Sequence, residues 1–107
     1  MTVRRIFDRL RDGWRPSSRE LADAPIVNQW RILSIGPGPY LLQGTIGGRP
    51  ILKVLIALDA SAGWARAPDG WLMLGIRSPE LQRVVGKDEV MSRAAEWIEA
   101  YPDEGER

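Results

Sequence analysis

Ile51-Leu52-Lys53-Val54-Leu55-Ile56-Ala57-Leu58 is the stretch on which the fold turns. It is the most apolar run in the chain and suits a buried strand. Alternation divides it into two faces. Leu52, Val54, Ile56 and Leu58 are uniformly apolar, so that face is expected to point at the core. Ile51, Lys53, Leu55 and Ala57 make the other. Upstream, Gly47-Gly48 is a two-residue hairpin signal, because both glycines can take positive φ. Downstream, Asp59-Ala60-Ser61-Ala62-Gly63 reads as a turn.

Working outward, Trp30 to Ile35 and Tyr40 to Ile46 read as strands separated by Gly36-Pro37-Gly38-Pro39. Trp64 to Ala67 and Trp71 to Leu74 read as two more, joined at Pro68-Asp69-Gly70. Loops this short imply sequential antiparallel neighbours, and a meander of about five strands is the simplest topology. The flanks are helical. Val3, Ile6, Phe7, Leu10 and Trp14 make one stripe, stopped at Gly13. Ser17 or Ser18 caps a short helix that ends before Pro25. After Gly75, Ser78-Pro79 opens a helix carrying Leu81, Val84 and Val85. Asp88 is the expected cap of a last helix with Val90, Ala94, Trp97, Ile98 and Tyr101 on one side. The expected whole is one α+β domain over residues 1–107: helical 2–24, antiparallel sheet 28–76, C-terminal helices 78–101 and a frayed tail 102–107.

Leu58-Asp59, Gly63-Trp64-Ala65-Arg66, Trp71 and Leu74-Gly75, with Ala24-Pro25 and Trp30 upstream, form a pattern. It resembles one in an uncharacterised family of small alphaproteobacterial proteins, a domain of unknown function. The similarity covers residues 20–76. The short Gly47-Gly48 turn departs from the longer loop of that family, and the C-terminal helices lie outside the match. The resemblance implies a real domain of bacterial or mobile-element origin. It implies no activity, substrate or catalytic residue.

Composition narrows the chemistry. There is no cysteine and no histidine, which removes disulfides, thiolate nucleophiles, the usual neutral-pH base and the commonest metal ligand. No catalytic, cofactor or metal residues are assigned, and no cofactor is expected. No apolar run has the length of a membrane span. Charges at Arg4, Arg5, Asp8, Arg9, Arg11 and Asp12 interrupt any signal-peptide core, so the cytoplasm is the expected location. The net charge of +1 is polarised: +3 over residues 1–20, +2 over 21–79 and −4 over 80–107.

Candidate sites follow from these patterns. Trp14 and Trp30 stand at element edges, where a tryptophan can anchor a protein partner. Asp59 and Arg66 can pair beside Trp64 on a hairpin surface, although turn chemistry alone accounts for these residues. Arg4, Arg5, Arg9 and Arg11 are the candidate nucleic-acid contacts, with Asp8 and Asp12 at spacings that would neutralise them. The glycine-rich turns lie between strands and lack the strand-to-helix setting of a phosphate loop. Asp23, Asp59, Asp69 and Glu80 stand apart from the helix faces and the tail, with no spacing that selects a pair. The acidic last helix reads as a solvated face. The expected function is a non-enzymatic protein-binding module, a regulator or inhibitor of a bacterium or mobile element. The alternative is a nucleic-acid-binding accessory protein using the first helix with Arg31, Arg49 and Arg66. An enzyme would have to work through carboxylates or a bound metal with oxygen ligands. A homodimer through a strand edge is compatible with each.

Overall fold

The computed structural model describes residues 2–80 and 85–101. Helix α1 spans Val3–Arg11 and is capped by Thr2, whose hydroxyl accepts the Arg5 N–H. Its expected stripe is the buried one: Val3, Ile6, Phe7 and Leu10. Gly13 takes φ +104 just beyond it, a backbone state that glycine reaches without strain. Helix α2, Ser18–Leu21, opens on a complete capping box between Ser17 and Glu20. The two helices fall within the expected N-terminal helical region.

Six strands follow rather than five: β1 Ile26–Leu33, β2 Leu41–Ile46, β3 Arg49–Val54, β4 Ala57–Asp59, β5 Trp64–Ala67 and β6 Gly70–Leu74. They form one sheet in the order β3-β2-β1-β6-β5-β4. Strands β1–β3 make one antiparallel meander and β4–β6 a second. The two are joined by a parallel contact, Ile26 opposite Met73 and Val27 opposite Leu74. It continues through bonds from Trp30 N to Ile76 O and from Ser78 N to Trp30 O. The α+β class is as expected, while the single meander gives way to two.

The reason lies in the opening stretch. After Val54 the chain leaves one edge of the sheet and joins the other. Leu55 N donates to Tyr40 O beside β2, and Ile56 N donates to Arg66 O of β5. The edges β3 and β4 are therefore successive pieces of one segment, and the sheet curls far enough for Leu55 and Ile56 to bridge them. Leu55, Ile56, Ala57 and Leu58 are all buried because the parity of the strand is reset at this crossing. The expected core face consequently fails at its start, at Leu52, while Val54 is half-buried against the cluster of Val3, Phe7 and Ile56. Leu52 is 57% exposed, and Lys53, directly opposite the buried Leu42, points to the concave side.

Two local devices allow the curl. Gly47 and Gly48 close the β2–β3 hairpin with φ of +57 and +80. A bulge adds one residue to β1 between Asn28 and Arg31, with Gln29 at φ +55. Gly44 faces that bulge, and a Cβ there would lie 2.5 Å from Val27 Cγ1.

The concave side holds Val27, Trp30, Leu42, Leu55, Leu58, Ala65 and Leu72. Helix α3, Lys87–Glu99, closes one margin of this core with Val90, and its Ala94 and Ile98 pack with Val3, Phe7 and Ile56. Gly86 is its N-cap, not Asp88, and no side chain caps it. Pro79 and Glu80 form a turn, and the rest of the expected Ser78 helix lies on residues 81–84, outside the described residues, as does the tail 102–107.

Candidate functional site

The expected site residues do not converge. Trp30 is 5% exposed, sits in the core and donates its indole N–H to Gly75 O, so it is no surface anchor. The sequence pattern places it at the start of a strand, but β1 begins four residues earlier at Ile26, and the segment 75–78 that follows β6 runs alongside it. Trp14 is half-buried, 6.1 Å from Trp71, with the Arg9 guanidinium 5.2 Å from its ring centre. Asp59 and Arg66 do not pair. Asp59 Oδ1 accepts the Ala62 N–H, and Gly63 turns back with φ +81. Arg66 lies two rungs along the ladder, with its guanidinium 5.0 Å from the Trp71 ring centre. Its Nε is buried without a hydrogen-bond partner. Burial lowers the Arg66 pKa, and the nearby Asp69 charge opposes that shift.

The arginines of α1 are largely employed within the fold. Arg4 donates to the Glu99 and Tyr101 carbonyls at the end of α3, a cation placed where the helix dipole is negative. Arg11 pairs with Asp8 at 3.5 Å and lies over Phe7. Arg5 is exposed. Arg15 closes α1 by donating to Leu10 O and Trp14 O. Elsewhere Arg31 joins Gln43 to Glu80, and Arg49 stands beside the β2–β3 turn.

What the fold does assemble is a groove of about 320 Å³ at the margin opposite α3. It opens where β3 and the β5–β6 turn fail to pair. Pro25, Ile46, Trp71 and Leu72 supply its apolar surface. Glu20, Asp23, Lys53 and Asp69 supply its charge. Each charge has a local cause. Glu20 is held by the capping box, through Ser17 N and Oγ. Asp23 follows α2 and is exposed. Asp69 sits in the turn that Pro68 and Gly70 favour. Lys53 reaches across from β3 and binds Asp69 at 2.6 Å.

Asp23 and Asp69 were among the four carboxylates that stand apart in the sequence, and the fold brings these two to one groove. Lys53 was missed because strict alternation turned it to the solvent. A lone ammonium inside the most apolar strand was the available signal. The carboxylates are spread around the rim: among the described residues no three gather closely enough to hold a metal ion. No helix of the described residues is long and apolar enough to cross a membrane. No protein family, curated protein or solved structure matches the chain.

Proposed function

We propose that this chain is a non-enzymatic protein-binding module that receives its partner at the groove between α2, β3 and the β5–β6 turn. The observation that carries this reading is the groove itself, a concave apolar surface with charges fixed at its rim. Recognition sites combine these features: buried apolar area supplies affinity and placed charges supply selectivity. The engagement of Arg4, Arg11 and Arg15 with the chain's own carbonyls and carboxylates favours this reading over phosphate contact by α1. A regulator or inhibitor working in the bacterial cytoplasm is the biological role that fits such a module.

The test is a tagged capture from the native host's lysate, with and without nuclease, repeated with Ala24→Trp. Ala24 lines the groove, and an indole there would fill it. A stoichiometric protein partner that survives nuclease and is lost with Ala24→Trp supports the reading. Co-purifying nucleic acid, with partners lost on nuclease treatment, would sink it and promote Arg4, Arg5, Arg9 and Arg11 to the working site.

A further inference from the structure

We infer that the groove's occupant is an extended basic segment of the partner, lying along β3 with its cationic heads at Asp69 and Asp23; this rests on the protein-binding reading above. Charge is the first reason. Three carboxylates line the groove against one ammonium, and that ammonium is already bound to Asp69. An incoming arginine can replace Lys53 at Asp69, with bidentate geometry that an ammonium lacks. Because the carboxylates are spread out, they suit several cations spaced along a chain better than a single ion.

The backbone of β3 is the second reason. Beyond Val54 the chain crosses to the far edge, so β3 pairs with β2 alone. In a two-residue hairpin the pair Ile46–Arg49 is hydrogen-bonded, and bonding then alternates along the ladder. Pro50, Leu52 and Val54 therefore turn their backbone polar groups away from β2. Pro50 has no N–H to offer, a common guard on an edge strand. Leu52 and Val54 offer a donor and an acceptor each, and among the described residues no backbone bond occupies them.

Geometry joins the two. A second cleft of about 210 Å³, lined by Leu52, Lys53, Val54, Ala67, Pro68 and Asp69, adjoins the groove and shares Lys53 and Asp69 with it. Together they make a trough along the free edge. A strand laid there has its backbone paired by β3, while alternate side chains reach the carboxylates and the apolar floor.

Three synthetic peptides test this on the full ¹⁵N-labelled chain by two-dimensional NMR. They are acetyl-Leu-Arg-Leu-Arg-Leu-Arg-amide and its glutamate and glutamine counterparts. The arginine peptide is expected to shift the amides of residues 20–24, 46, 52–54 and 69–72, and to weaken with added salt. Lys53→Met, which removes the competing ammonium, is expected to tighten it about threefold. Asp23→Asn with Asp69→Asn is expected to weaken it about tenfold without changing the thermal melt. Binding of the glutamate or glutamine peptide at the same amides, as tightly, overturns the basic occupant but keeps the groove as a protein site. Arginine-peptide shifts confined to Asp88, Glu89, Glu96 and Glu99 on α3 overturn it as non-specific attraction to an acidic face. No shift with any peptide overturns it too, and the Ala24→Trp capture then decides protein binding separately.

Discussion

The two margins of the curled sheet are finished in opposite ways. At the α3 margin the polar groups of the 34–40 loop are tied down by α3. Arg93 donates through Nε to Pro37 O and Gly38 O, and through Nη2 to Ser34 Oγ and Gly36 O. The same guanidinium lies 4.6 Å from the Tyr40 ring centre. The Tyr40 hydroxyl donates to Glu89, and Val90 plugs the core beneath. At the groove margin, among the described residues, one ion pair, Lys53–Asp69, spans the gap. One margin is built for stability, and the other leaves apolar surface and charge in reach of solvent. The difference teaches where to look: charges consumed by the chain's own carbonyls mark structure, and charges held at an open rim mark recognition.

That contrast can be broken by mutation. The largest effect is expected at the crossing that holds the two margins together. Leu55→Ala removes a fully buried side chain there and should cost about 3 kcal/mol in urea unfolding. A loss below about 1 kcal/mol would mean that the crossing does not join the two halves of the sheet. Next, Arg93→Met keeps the side-chain volume but releases the 36–38 carbonyls and the Ser34 hydroxyl. It should cost about 2 kcal/mol and speed amide exchange in that loop. An unchanged melt would remove the distinction between the margins.

Smaller effects are expected on the groove side. Ser17→Ala breaks the capping box of α2 and should cost about 1 kcal/mol by the same denaturation measurement. It should also weaken any groove ligand, because Glu20 loses its anchor. Lys53→Met should change stability by no more than about 0.5 kcal/mol, since Asp69 is 66% exposed and water replaces its partner. A loss of about 2 kcal/mol would instead make this ion pair a structural clasp.

Much of the local structure was legible in the sequence. The α1 stripe, a serine cap at 17 or 18, the Gly47-Gly48 hairpin and the Asp59–Gly63 turn each follow from residues within a few positions of one another. The candidate site was legible only in pieces. Asp23 and Asp69 stood out as carboxylates without a place, and the Pro68-Asp69-Gly70 turn was evident. Nothing local linked them to Lys53 or to Trp71. Arg93, which pins the glycine-proline loop, looked like any charge on a helix face.

By itself, then, the sequence determined the local pieces, the α1 stripe, the turns and the approximate elements, because caps, turns and periodicity act over one or two turns of chain. It misplaced boundaries at β1, which begins at Ile26 and not Trp30, and at α3, which is capped by Gly86 and not Asp88. Only the tertiary structure decided which strands meet. The crossing at Leu55–Ile56, the parallel pairing of β1 with β6, the burial of Trp30 and the inward turn of Lys53 all depend on it. Each requires hydrogen bonds or packing between residues remote in sequence, and those form only once the whole sheet has closed on its core.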